Sequence, residues 1–103
     1  MMARNAEKMQ TKLAEVKAAC GKNIETKYLV GDFSKLADIT QYREIFTDEI
    51  MNLDIGVVIA NAGWGEPGVY HEIPDDDLKG TININAVQVV YIFKIFGEKL
   101  MKR

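Results

Sequence analysis

The sequence predicts an α/β fold of two parallel strands and three helices, the last of them long. Three observations carry that expectation. Val57, Val58 and Ile59 form an apolar, β-branched run without alternation, which suits a central parallel strand covered by helices on both faces. A second β-rich run, from Ile24 to Val30, ends in Tyr28, Leu29 and Val30 and is broken by Gly31. Around these runs lie three stretches whose apolar residues recur at three- and four-residue spacing, the pattern of amphipathic helices.

The bulk properties narrow the field. At 103 residues the chain is expected to form one domain at most. A hydrophobic content of 48% and a charged content of 27% are those of an ordinary globular protein, and a net charge of −2 gives no electrostatic case for a nucleic-acid partner. The single cysteine, Cys20, has no internal disulfide partner and reads as a buried or idle thiol. No apolar leader opens the sequence, and no uncharged stretch reaches the ~18 residues of a transmembrane helix. The expected location is intracellular, cytoplasmic or organelle-associated, and not secreted.

Taken in order, the first helix runs from Asn5 to about Ala19, with Met9, Leu13, Val16 and Cys20 on its apolar stripe. Asn5 is the expected N-cap and Gly21 the stop. The strand from Ile24 to Val30 follows, and then Asp32 and Phe33; Asp32 either meets a ligand or caps the turn with Ser34. A helix from Asp38 to Asn52, capped by Asp38 or Thr40, carries Ile39, Tyr42, Ile45, Phe46 and Ile50 toward the core.

The stretch Ile55 to Gly63 is the expected centre of the domain. Its strand stops at Asn61, Ala62 and Gly63, small residues that let the backbone turn tightly at the carboxyl end, where open α/β sheets bind ligands. A glycine-rich loop from Trp64 to Gly68 follows, with Trp64 either at a substrate mouth or packed back onto the domain. His71 has no serine, cysteine or paired carboxylate placed to work with it and reads as a surface residue. The final helix starts at Pro74 with three acids, Asp75, Asp76 and Asp77, and ends in Lys99, Lys102 and Arg103, charges that match the two ends of its dipole. Between Ala86 and Phe96 only Gln88 and Lys94 interrupt the apolar residues, so a homo-oligomer or a partner chain is expected on the helix from Leu78 to Leu100.

The nonapeptide Ile-Gly-Val-Val-Ile-Ala-Asn-Ala-Gly, with Asn85 downstream, resembles the short-chain dehydrogenase/reductase family, whose fourth strand ends in Asn-Asn-Ala-Gly; Ala60 stands at the first Asn. The order Asn-Ala-Gly followed by Ile-Asn-Ile-Asn looks like the branch of 3-oxoacyl-CoA reductases and 17β-hydroxysteroid dehydrogenases. The resemblance implies a fragment of a Rossmann-type doubly wound parallel sheet over residues 1–103, and an NADP-dependent oxidoreductase as its origin. It implies that Arg4 faces the 2'-phosphate of NADP, that Asp32 and Phe33 cradle the adenine, and that Asn61, Ala62 and Gly63 line the cofactor. Asn85 would hold a proton-relay water. For Arg4 the residues alone read equally as an exposed arginine near a terminus.

The resemblance spans only a middle piece of that family's domain. The sequence holds no glycine-rich phosphate loop between a first strand and helix. It has no Tyr-x-x-x-Lys either, since none of Tyr28, Tyr42, Tyr70 and Tyr91 has a lysine four residues on. This chain alone is therefore expected to be inactive and to bind NADPH weakly or not at all. The alternative is a non-catalytic assembly subunit derived from the family. In the doubly wound order 3-2-1-4, the two expected strands are not neighbours, and a gap of about 14 Å would separate them. They are expected to close into a two-stranded parallel sheet or to take their pairing from another chain.

Overall fold

The structure, a computed structural model, describes residues 1–21 and 23–103 and divides into two compact units, Met1–Asp32 and Phe33–Arg103. The first unit is a strand, a helix and a strand: β1 (Met2–Ala3), α1 (Ala6–Cys20) and β2 (Leu29–Val30). Asn5 takes the extended backbone of a cap, and its side chain accepts the Lys8 N–H at 2.8 Å. At the other end Gly21 has φ 107°, a conformation that disfavours any side chain, and its N–H closes the helix onto the Lys17 carbonyl at 3.1 Å. Met9 is buried, whereas Val16 and Cys20, expected on the same apolar stripe, are exposed.

β1 and β2 pair in parallel, Met2 opposite Leu29 and Ala3 opposite Val30. The Leu29 N–H donates to the Met1 carbonyl at 2.9 Å and the Gly31 N–H to the Ala3 carbonyl at 3.1 Å. The expected strand from Ile24 to Val30 is thus two residues long. A strand extends only as far as a backbone lies beside it, and Met2–Ala3 offers two residues of pairing. The Gln10 amide, donating to the Tyr28 hydroxyl at 2.7 Å, ties α1 to the approach of β2.

The second unit is helical. Phe33–Lys35 forms a 3-10 turn, followed by α2 (Ile39–Ile45) and α3 (Asp48–Met51). Asp38 caps α2: its carboxylate accepts from the Thr40 N–H at 2.8 Å and hydroxyl at 2.6 Å, and Gln41 reaches back to the Asp38 N–H at 2.9 Å. The Thr40 hydroxyl, then its backbone N–H, holds the Asp38 carboxyl below its ordinary range. The single helix expected over 38–52 breaks at Phe46, whose backbone leaves the helical region (φ −85°, ψ 71°) as its ring turns against Phe96, centroids 4.9 Å apart.

From residue 75 to residue 101 one long helix runs as α4 (Asp75–Ile82), a π-turn segment (Asn83–Val87) and α5 (Gln88–Met101). The Pro74 carbonyl receives the Asp77 and Leu78 N–H groups, which opens the helix as the sequence led one to expect. The core lies where α2, α3 and the long helix meet: Tyr42 stacks on Phe33 at 6.1 Å and meets the edge of Tyr91 at 5.6 Å, with Ile50, Ile84 and Ile92 also buried. Burial, and secondly the neighbouring Tyr91, pushes the Tyr42 phenol up to about 12.

The largest departure concerns residues 55–60, expected as the central strand. They pair with no strand among the described residues; Val57 and Ile59 are 76% and 79% exposed. The α/β class with two parallel strands stands, but the strands are Met2–Ala3 and Leu29–Val30. Sequential neighbours in the order 3-2-1-4 are those that share an edge, and the apolar run of residues 57–59 has no such neighbour here. The long helix also hides more of its apolar surface than expected. Ile92 and Phe96 are buried within the unit, while Val90, Phe93 and Met101 remain exposed.

Candidate functional site

The Asn61–Ala62–Gly63 turn is positioned by the long helix and not by a sheet. Asn85, in the π-turn segment, accepts the Trp64 N–H on Oδ1 at 3.2 Å and donates from Nδ2 to the Trp64 carbonyl at 2.5 Å and to the Thr81 carbonyl at 2.8 Å. Its carboxamide therefore grips the backbone of residue 64 bidentately, as a neighbouring strand would. Gln88 is fully buried and donates from Nε2 to the Ala62 carbonyl at 3.2 Å, while its Oε1 has no hydrogen-bond partner. Asn83, also buried, donates to the Ser34 carbonyl at 2.9 Å.

These amides are brought together by the π-turn. In a regular α-helix positions 83 and 88 lie about 140° apart around the axis; the wider turn, closed by the Gln88 N–H on the Asn83 carbonyl, draws them toward one side. Such insertions are frequent at functional sites. Sequence reasoning singled out Asn85 and passed over Asn83 and Gln88. The available signal was the interruption of an otherwise apolar run by Gln88, since a buried polar residue requires a partner.

The glycines of this region are explained by the same contacts. A Cβ on Gly63 would come within 3.2 Å of the Asn85 Oδ1, and one on Gly80 within 3.3 Å of the Ser34 Cβ and 3.9 Å of the Trp64 ring. What approaches Gly63 closely is thus the helix itself, and Trp64 packs back against the helix at Gly80. Gly63 and Asn61 are exposed, and Ala62 is half-buried. His71 is exposed in the 3-10 turn Tyr70–Glu72.

The remaining expected residues fall into two groups. In the first unit Arg4 follows Ala3 and Asp32 lies two residues after Val30, so both leave the same end of the parallel ladder; Arg4 is exposed and Asp32 half-buried. In the second unit the Phe33 ring is buried and stacked on Tyr42, so its contact with any ligand is left to its backbone. Arg4 and Asp32 thus belong to the first unit, and the exposed backbone of Asn61 and Gly63 to the second. Among the described residues no group of three or more His, Cys, Asp or Glu side chains is placed to hold a metal ion. No helix among them is long and apolar enough to cross a membrane.

The family model described as short chain dehydrogenase matches residues 1–103. No curated protein and no solved structure matched the chain.

Proposed function

The chain belongs to the short-chain dehydrogenase family, and on that premise we propose that residues 1–103 are a partial NADP-dependent oxidoreductase of the branch acting on 3-oxoacyl or steroid carbonyls. The observation that carries this reading is the grip of Asn85 on Trp64, which holds the Asn61–Gly63 turn with its outer face open. A bound NADPH supplies hydride to a carbonyl. By the family resemblance, Arg4 would take the 2'-phosphate, Asp32 and the Phe33 backbone would take the adenine, and Asn61, Ala62 and Gly63 would lie along the cofactor. Both Asn85 amide hydrogens are engaged with backbone carbonyls, which leaves the second lone pair of Oδ1 to a relay water.

These 103 residues hold neither a Tyr-x-x-x-Lys nor a glycine-rich phosphate loop, and by themselves turn over no substrate. The test is a calorimetric titration with NADPH together with turnover assays on a 3-oxoacyl-CoA and a ketosteroid. Weak or absent binding and no turnover are expected, and saturation at micromolar NADPH contradicts the reading. Supplying both the glycine-rich phosphate loop and the Tyr-x-x-x-Lys segment on a second polypeptide should restore turnover, and Asn85→Ala should then lower it.

A second reading, an assembly subunit without chemistry, is supported by the exposed Val90, Phe93 and Met101 of α5. Beside them a groove of about 1070 Å³ runs between α2, α3 and α5, with Phe46 and Met51 in its wall and Arg43 and Lys94 at its rim. A homo-oligomer or a partner chain fits this face. Light scattering across a wide concentration range, repeated with Phe93→Asp, tests it: association that the aspartate abolishes supports the surface, and a monomer at every concentration removes it.

A further inference from the structure

Residues 56–61 are held in an extended course without being paired. Val58, Ala60 and Ala62 are half-buried while Val57, Ile59 and Asn61 are exposed, the alternation of a strand with one face covered. Among the described residues no backbone hydrogen bond joins residues 56–61 to another backbone group. The run is fixed from the helix at both ends. Lys99 donates to the Met51 and Leu53 carbonyls, and the Arg103 guanidinium reaches Asp54 at 3.4 Å and lies where a side chain at Gly56 would stand. Gln88 and Asn85 hold residues 62 and 64. Between these anchors the backbone already has the course of a strand, so a second strand added to its edge meets little ordering cost.

Natural proteins blunt such edges with charge or proline; from Ile55 to Gly65 this sequence has neither. We infer that residues 55–61 are an interaction surface whose partner is the same run of a second copy, paired antiparallel about Val58. The segment is its own complement. Exposed positions must oppose exposed ones, because a slip of one residue sets them against half-buried ones. Of the registers that remain, the one centred on Val58 overlaps the whole run. It sets Val57 against Ile59 of the other copy, Gly56 against Ala60 and Asp54 against Ala62. β-Branched side chains then meet across the strands, small residues meet small ones, and no charge meets a charge. One two-fold axis satisfies both copies with the same surface. A single pair of strands buries less area than a permanent dimer needs, so the association is weak and rises with concentration. It runs through the backbone and leaves Val57 and Ile59 on the open face. The surface goes beyond the reading of α5, whose exposed side chains are Val90, Phe93 and Met101.

Sedimentation velocity on the full chain from micromolar to millimolar concentration tests the surface, with a reductant present so that Cys20 takes no part. Two variants at the same exposed positions separate this arrangement from others, and far-UV circular dichroism should show both folded. Val57→Lys with Ile59→Lys opposes lysine to lysine twice across the two-fold and should weaken association about tenfold. Val57→Lys with Ile59→Glu opposes unlike charges twice in the antiparallel register and should associate as the unaltered chain does. In a parallel, in-register pair that variant would instead bring like charges together. Phe93→Asp should leave the association in place. A monomer at every concentration overturns the inference, as does association that the two lysines leave unchanged or that Phe93→Asp abolishes. A lysine–glutamate variant weakened as far as the two-lysine chain overturns the antiparallel pairing.

Discussion

Two apolar runs of this chain, residues 57–59 and residues 86–96, look alike in sequence and end differently. The first stays extended, with Val57 and Ile59 exposed; the second buries Ile92 and Phe96 against Phe46 and its neighbours. A helix closes its own backbone hydrogen bonds and needs only one face covered. A strand needs another backbone at its edge before its side chains count for anything. Where Met2–Ala3 provides that edge, Leu29–Val30 forms a ladder of two residues. Where none is present, the stronger β pattern of residues 57–59 yields no strand, and helix side chains take over the holding. Lys99 donates to the Met51 carbonyl and, at 2.5 Å, to that of Leu53, while Asn85 and Gln88 hold residues 62 and 64.

The sharpest way to break this contrast is to cut into the helical run. Phe96→Ala should destabilise the second unit by about 3–5 kcal/mol, the usual cost of emptying a buried aromatic site, read from urea denaturation. A loss below 1 kcal/mol would mean that Phe96 is not the core contact its ring geometry indicates. Next in size is Asn85→Ala, which strips Trp64 of its backbone partner and should cost about 1–3 kcal/mol. Hydrogen exchange at the Trp64 amide should rise with it, and unchanged exchange there would refute the clamp.

The alkaline limb of stability sharpens the same comparison. Tyr42 ionises at about 12 in the folded chain against 10.0 ordinarily, so the unfolded chain loses its proton first as pH rises. The contribution of the buried phenol is complete below pH 10.0 and is lost between 10.0 and about 12. The thermal midpoint should fall across that window, and Tyr42→Phe should flatten the fall. The smallest effect belongs to the extended run. Ile59→Thr should change stability by no more than about 0.5 kcal/mol, as at other exposed positions. A cost of 2 kcal/mol or more would show that Ile59 is covered in solution, by another copy or by a partner.

Helix ends were legible in advance because their determinants are local. Asn5 and Gly21 close α1, Asp38 opens α2, and Pro74 with its three acids opens the long helix, each through groups within four residues of one another. The Asn61–Gly63 turn and Asn85 were singled out too, by resemblance, but not the contact between them. What the turn packs against was not legible. Gly63 makes room for Asn85, Gly80 for Trp64, and Gln88 sits beneath Ala62, contacts between residues 16 to 26 positions apart. The break at Phe46 and the π-turn at Asn83–Val87 are likewise answers to partners that no local spacing encodes. Sequence alone set the capped ends of the helices, at Asn5, Gly21, Asp38 and Pro74, since caps and dipoles act within a turn. Only the tertiary structure decided which extended run became a strand, since pairing depends on what lies alongside.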